Sequence, residues 1–537
     1  MKPSHLFRLP FQRNDLQALF SGILLALSFP NPLNVLVSHF HFGLLAWIAL
    51  VPLLLSLEGK PPLAGFRLGW IAGFAGFTGI LYWVVIAMHR YGGIPVPISL
   101  LILIALTLYL SLYVGAFAAL VAAVRNSTGW SLSITAPPLW VGLEYLRSTL
   151  LTGFPWEDLG YSQYLNLPVI QIADITGVFG ISFLVVLANS LVSGGIVRFR
   201  KTGKIPLGII LILAILAGGI LSYGYLRIES ETRRTSSQTP IRVGIVQGNI
   251  DQSLKWDKAY QRETLRIYQT LTREIAHNHP DLIIWPETAV PFFFPYDQPF
   301  TRMVRNVARE TGAPLLFGSP FYEVDNQRIR YFNSAYLVSP EGKIGGRYDK
   351  IHLVPFGEYV PLARFLPFIE PLVESVGNLV SGSNTLGTVV FSIPRARFGV
   401  LICYEIIFPG LTRRFIGRGA DFLVTITNDA WFGKTSAPYQ HFSMAVFRAV
   451  ENRTYVARAA NTGISGIIDS TGRIILETEI FSRVAVSGEV FLREAKTFYT
   501  RYGDLFAHAC LGWGLLLLGG AYSARKRKYP GLHPQAG

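Results

Sequence analysis

Charge is scarce in this sequence. Of its 537 residues 15% are charged and 50% are hydrophobic, whereas soluble domains carry roughly 25% charged residues. The deficit is uneven. Residues 1–226 hold nearly all the long apolar runs, 227–503 have ordinary water-facing composition, and one further apolar run precedes a basic tail. That excludes a wholly soluble chain and predicts a membrane domain, a water-facing domain and a closing anchor. Cysteine is nearly missing as well. Cys403 lies in the water-facing part and Cys510 inside the last apolar run, so there is no disulfide framework. No His, Cys or carboxylate pair has metal-ligand spacing, and no glycine-rich phosphate loop opens a helix. Neither a metal nor a cofactor is therefore expected. There is no internal repeat, no low-complexity tract and no short leader with a small-residue cleavage site.

Positive charge is in excess, with a formal net charge of +15. A nucleic-acid binder could carry it, but its placement argues for a bilayer. Eight apolar segments suit spans, at about 16–33, 41–57, 63–87, 97–124, 132–149, 174–197, 205–226 and 504–523, each near the roughly 20 residues a span needs. Pro137 and Pro138 interrupt the fifth. With the N-terminus inside, the inner segments hold Lys2, Arg8, Arg13, Lys60, Arg67, Arg125, Arg198, Arg200, Lys201, Lys204 and Arg525 to Lys528; the short outer loops hold Arg90 and Arg147. Such asymmetry sets orientation, and it places the large domain outside. The expected division is a membrane domain over 1–228, a Ser/Thr-rich linker over 229–240, a catalytic domain over 241–490, and an anchor and basic tail over 491–537.

The outer domain alternates strand and helix signals. Strands are predicted at Ile241–Gln247, Leu282–Trp285, Pro314–Gly318, Ala335–Val338, Thr388–Ile393, Phe398–Ile402 and Phe422–Thr427, and helices at 257–277, 298–311 and 439–452. Several strands end on polar or acidic residues, where an α/β domain keeps its chemistry.

Cys403 ends the apolar run Val400-Leu401-Ile402. A lone cysteine in a strand is commonly a small buried hydrophobe; its place before a turn is what suits a nucleophile. A nucleophile needs a base and a positive neighbour. Glu287 ends another strand beside Trp285 and Pro286, where desolvation suits a general base. Lys350, in Tyr348-Asp349-Lys350-Ile351-His352, is either a solvated lysine or a fixed ammonium for an oxyanion. His352 also permits a Cys–His reading, which leaves Glu287 without a role. Glu358, in Phe356-Gly357-Glu358-Tyr359-Val360-Pro361, is a second acid suited to buttress Lys350 or Cys403. Trp256 and Trp431 stand in loops after strands, suited to packing, an acyl tunnel or the membrane interface. Phe292, Phe293 and Phe294 lie between Pro291 and Pro295; the expectation is that this loop touches the membrane and lines the substrate's way in, with simple packing beneath the loop as the alternative.

Together the strings resemble one family. Gln247-Gly248-Asn249-Ile250, Trp285-Pro286-Glu287-Thr288-Ala289, Tyr348 to Glu358, Cys403-Tyr404-Glu405 and Thr427-Asn428-Asp429-Ala430-Trp431-Phe432-Gly433 are similar to motifs of bacterial apolipoprotein N-acyltransferases, membrane-bound members of the nitrilase superfamily. The likeness runs through essentially the whole chain, including Phe154-Pro155-Trp156 and Gly160-Tyr161-Ser162-Gln163. It implies a polytopic α-helical membrane domain of about eight spans plus an α/β nitrilase-type αββα sandwich over roughly 240–490. It implies Glu287 as general base, Lys350 as oxyanion stabiliser and Cys403 as nucleophile, supported by Glu358, Tyr404 and Glu405. Trp256, Phe293, Phe294, Asn428 and Trp431 are the residues expected to contact substrate. The implied partners are a phospholipid acyl donor, a diacylglyceryl-apolipoprotein acceptor and the bilayer, with no nucleic acid, at the bacterial inner membrane with the catalytic domain on the periplasmic side. A membrane-tethered nitrilase-like amidase shares the triad, and a non-enzymatic transporter-like protein is the other reading; eight spans argue against the first, and few ionisable residues in the spans, Glu144 and His508 the clearest, against the second.

Overall fold

The computed structural model describes residues 12–31, 42–325, 328–355, 357–359, 379–382 and 389–528. Lys2, Arg8, Phe356, Val360, Pro361 and Thr388, named above, lie outside the described residues, as does the tail beyond Lys528.

The apolar segments fold as helices: α1 (Arg13–Leu27), α2 (Pro62–Leu81), α3 (Val96–Thr128), α4 (Leu132–Thr149), α5 (Val178–Thr202) and α6 (Leu207–Thr235). Leu505–Lys528 forms the closing helix. Among the described residues five helices are long and apolar enough to cross a membrane, namely α2, α3, α5, α6 and the closing helix. The expected count of about eight is not reached. The segment at 16–33 is helical only to Leu27, Phe42–Ser56 breaks into short helical pieces, and α4 carries Pro137 and Pro138 inside its 18 residues. A second difference lies at the expected linker. Helix α6 continues to Thr235, so 229–235 is helical, supported by Arg233–Glu229 and Arg234–Glu231 ion pairs one turn apart.

The remainder is an α/β sandwich of two six-stranded sheets. The first has the order β12-β1-β2-β3-β4-β5 and the second β11-β10-β9-β8-β7-β6. Their strands are β1 (Ile241–Gln247), β2 (Leu282–Ile284), β3 (Leu315–Asp325), β4 (Arg328–Val338), β5 (Ile344–Asp349), β6 (Val390–Ile393), β7 (Ala396–Ile402), β8 (Phe422–Thr427), β9 (Val456–Ala460), β10 (Gly466–Ile468), β11 (Ile474–Glu477) and β12 (Val484–Val490). Each sheet has a parallel centre, β1-β2-β3 in one and β7-β8-β9 in the other. Parallel strands are buried on both faces, and side chains alternate between those faces. Leu282, Ile284, Leu316, Ala335 and Leu337 accordingly pack between the sheets with Val400 and Ile402, while Ile283, Leu315, Phe317 and Tyr336 pack outward under the flanking helices.

Those outer helices are α7 (Lys258–Ala276) and α8 (Gln298–Thr311) on the first sheet, and α9 (Ala437–Asn452) with Pro409–Gly417 on the second. Helix α7 starts on Asp257, whose carboxylate accepts from Ala259 N–H at 2.9 Å, and buries Leu265, Tyr268, Leu271 and Ile275 at helical spacing. Helix α9 is where the membrane region grips the sandwich. Gln440 accepts from Trp83 Nε1 (3.1 Å) and Trp156 Nε1 (2.9 Å), Arg448 donates to Tyr161 Oη (2.8 Å), and Arg453 pairs with Asp174 (2.9 Å).

Candidate active site

The chemistry gathers beyond the carboxyl ends of β2, β5, β7 and β8. Glu287 follows β2, Lys350 follows β5, Cys403 follows β7 and Asn428 follows β8. Lys350 Nζ lies 3.5 Å from Glu287 Oε1 and 2.9 Å from Glu358 Oε1, with its side chain almost fully buried. Asn333, in the middle of β4, donates from Nδ2 to Glu287 Oε1 at 2.7 Å and to Glu358 Oε1 at 3.1 Å. Asn428 N–H donates to Glu287 Oε2 at 2.9 Å, so both oxygens of Glu287 are held. Glu358 Oε2 accepts from Val354 N–H at 2.8 Å.

Cys403 adopts φ +53°, the left-handed region that non-glycine residues seldom enter. Such strain persists only where the surroundings impose it. One restraint is visible: His441 Nε2–H donates to Cys403 O at 3.2 Å. Burial and the Arg458 guanidinium lower His441, opposed by the Asp429 carboxylate, and its Nδ1 lies 3.1 Å from Asp429 Oδ1 and 3.0 Å from Arg458. Trp156, from the loop after α4, stacks on His441 with ring centroids 5.9 Å apart. The membrane region therefore reaches within one side chain of the Cys403 backbone.

Burial pushes the Cys403 thiol well above its ordinary range; the Glu287 carboxylate adds to this and Lys350 opposes it. Burial alone would lower Lys350, but the Glu358 and Glu287 carboxylates hold it charged, above its usual value. The resting site is thus a thiol, an ammonium and a carboxylate able to take the thiol proton. That arrangement suits a nucleophile made only when an acyl carbon is in reach.

Glu405 ties the pieces together. Its Oε1 accepts from Tyr348 Oη (2.8 Å), Ile351 N–H (2.7 Å) and His352 N–H (3.1 Å), and its Oε2 from Ile402 N–H (2.7 Å). One carboxylate thereby joins the Lys350 segment to the end of β7; burial holds it up at about 7 against those hydrogen bonds. Tyr404 is buried edge-on to Phe408 (5.1 Å). His352 stacks on Phe408 at 4.0 Å, and burial pulls it down to about 4; it makes no contact with Cys403 among the described residues, which removes the Cys–His reading.

The residues expected to contact substrate divide. Trp256 is exposed, and Trp431 is half-buried with its ring 6.0 Å from Tyr91. The Asn428 side chain is already committed: Nδ2 donates to Gln252 Oε1 at 2.7 Å and Oδ1 accepts from Asn461 at 3.0 Å. The contact of Asn428 with Glu287 is made by the backbone N–H, not by this side chain. Phe294 is fully buried, packed on Phe317 (4.9 Å) and Tyr336 (5.2 Å), and Phe292 is buried beside Phe300. Phe293 is half-buried on Tyr322 and Tyr331. The expectation of a membrane-touching loop is corrected for Phe292 and Phe294, because the loop tucks beneath β3 and β4, with Phe292 O accepting from Ser319 Oγ at 2.7 Å.

Sequence reasoning missed Asn333, His441 and Lys255. Asn333 and His441 gave no signal, one inside a strand and the other inside a helix. Lys255, beside Trp256 in the loop after β1, is buried, and its ammonium donates to Glu287 O at 3.2 Å. Burial pulls it down to about 8, with Glu287 and Cys403 acting to raise it.

Residues 21–191 match the family described as the apolipoprotein N-acyltransferase N-terminal domain, and residues 242–490 match the carbon-nitrogen hydrolase family. The chain is 47% identical over 503 residues to the apolipoprotein N-acyltransferase of Geobacter metallireducens, covering 93% of this chain and 94% of that protein. It is 34% identical over 520 residues to the enzyme of the same name from Chlorobaculum tepidum, covering 92% and 94%. An amidase structure from Nesterenkonia aligns with 50% of this chain and 95% of its own at 18% identity, with a TM-score of 0.37.

Proposed function

The chain belongs to the apolipoprotein N-acyltransferase family, and from that membership we infer the reaction its site performs: transfer of an acyl chain from a membrane phospholipid to the N-terminal α-amine of a diacylglyceryl-cysteine. It is an acyltransferase and a membrane protein. Glu287 takes the thiol proton as Cys403 Sγ attacks the ester carbonyl of the phospholipid. Lys350 faces the oxyanion, the intermediate collapses to a thioester, and the lysophospholipid alkoxide leaves with the proton from Glu287. The lipoprotein amine then attacks the thioester, Glu287 accepts its proton, and thiolate Cys403 leaves and is reprotonated. Two half-reactions through one site give ping-pong kinetics. No cofactor enters either half.

One observation carries the choice of a lipid-fed transferase over a soluble-substrate amidase. Trp156 of the membrane region packs on the histidine that holds the Cys403 backbone, so the nucleophile is built against the membrane region. A thioester kept from water survives until the amine arrives. The loop charges support the division proposed from sequence: a membrane domain to about residue 228, a catalytic domain over 241–490 on the periplasmic side of the inner membrane, and a cytoplasmic tail.

The test is transfer from a labelled phospholipid to a diacylated lipopeptide in vesicles. Cys403→Ala should abolish it, and Glu287→Gln and Lys350→Met should each lose at least about two orders of magnitude. Near-normal turnover in any of the three removes that residue from the mechanism, and release of free fatty acid without acylated peptide would make the protein a hydrolase.

A further inference from the structure

Among the groups around Glu287, Lys255 has no task in the reaction above. Its amide N–H donates to Asp251 O at 3.1 Å, its side chain is buried, and its ammonium donates to Glu287 O at 3.2 Å. Among the described residues no carboxylate lies within ion-pair distance of it. An ammonium taken out of water without a paired carboxylate is costly, so its retention here calls for a use.

The charge count of the site supplies one. Glu287 and Glu358 bring two negative charges and Lys350 one positive charge. With those three alone the cluster is net negative at rest. It stays net negative when the proton moves from Cys403 to Glu287, and again when the charge passes to the tetrahedral oxyanion. A buried cluster of net negative charge disfavours every one of those anions. Adding the Lys255 ammonium brings all three states to neutrality.

We propose that Lys255 is a positioning cation of this site: it fixes the backbone at Glu287 and supplies the second positive charge against which the thiolate and the oxyanion form. The proposal rests on Cys403 being the nucleophile. The titratable groups acting on Lys255 are Glu287 and Cys403; Lys350, also beside Glu287, is held charged by two carboxylates. Raising the pH through about 8 therefore discharges Lys255 before Lys350.

The experiment follows acyl-enzyme formation on the full-length protein in detergent, using a short-chain thioester donor, with iodoacetamide alkylation of the thiol alongside and Cys403→Ala as blank. Lys255→Met should slow both reactions by about tenfold or more at pH 7. Wild type should show acylation declining above about pH 8, and Lys255→Met should lack that decline at whatever rate remains. Lys255→Arg should restore the rate and move the decline upward, since a guanidinium keeps its charge. Wild-type acylation and alkylation rates in a folded Lys255→Met protein overturn the proposal. So does a wild-type profile with no decline above pH 8, which needs no variant to fold. Acylation of Cys403→Ala at the wild-type rate would instead sink the nucleophile assignment beneath it.

Discussion

Gly318 sets how closely β3 can pass under the Glu287 loop. Its N–H donates to Pro286 O at 3.1 Å and its carbonyl accepts from Val290 N–H at 3.1 Å. A Cβ at this position would lie 2.4 Å from Thr288 N and 2.7 Å from Glu287 Cα. Comfortable contact between such atoms is about 3.5 Å, so Gly318→Ala must drive the loop back by about 1 Å; the obstructing atoms are backbone, and no rotamer change relieves them. Glu287 would then leave its 2.7 Å bond from Asn333 and its 2.9 Å bond from Asn428. A misplacement of about 1 Å in a reacting group costs on the order of 10²-fold in rate, whereas overpacking costs about 1–3 kcal/mol of stability. The expected variant is folded, with single-turnover acylation of Cys403 about a hundredfold slower. Gly345→Ala is the control, because its Cβ would meet nothing nearer than Leu337 O at 3.5 Å. Wild-type acylation in Gly318→Ala would refute the argument that the backbone position of Glu287 sets the rate.

Glu405→Gln keeps the shape but points an NH2 at the Ile402 N–H that Glu405 Oε2 now accepts; a loss of about 1–3 kcal/mol, read by denaturant unfolding, and slower acylation should appear together. Phe294→Ala should cost about 3–5 kcal/mol as a core deletion, and phospholipid and short-chain donors should slow equally. Selective slowing with phospholipid would restore the loop to the membrane. Tags at 236–240 should be external and tags after Arg525 cytoplasmic; protection of the 236–240 tag in spheroplasts would reverse the orientation.

Where one level of structure decided the outcome, the sequence was legible. β1 and β8 fall on their expected residues, as does helix α8, since each is an apolar or amphipathic run closed by turn residues. β5 was not read because Gly345 and Gly346 break its pattern, and β9 carries Arg458, a charge buried there only because Asp429 pairs with it at 2.8 Å. Glu287 and Cys403 were visible at strand ends because apolar runs lead into them, whereas Lys350 stood out only by its string, its strand being unread. Asn333 and Lys255 act through juxtapositions that no spacing encodes. Aromatic density misled at Phe294, where three rings in a loop suggested exposure and the loop folded under its own sheet. Hydropathy gave eight apolar segments but could not say that those at 16–33 and 41–57 form helices shorter than a span, or that the 18-residue helix at 132–149, with Pro137 and Pro138 inside it, is not apolar enough to count as one.

The thioester is the central claim, and intact mass spectrometry reads it directly. Full-length protein incubated with phospholipid and no acceptor should gain the mass of one acyl chain. Hydroxylamine or a diacylated lipopeptide should remove that mass, Cys403→Ala should never acquire it, and Cys510→Ala should acquire it as wild type does. Acyl transfer to lipopeptide by a protein that never carries the acyl mass, or by Cys403→Ala, would contradict the account.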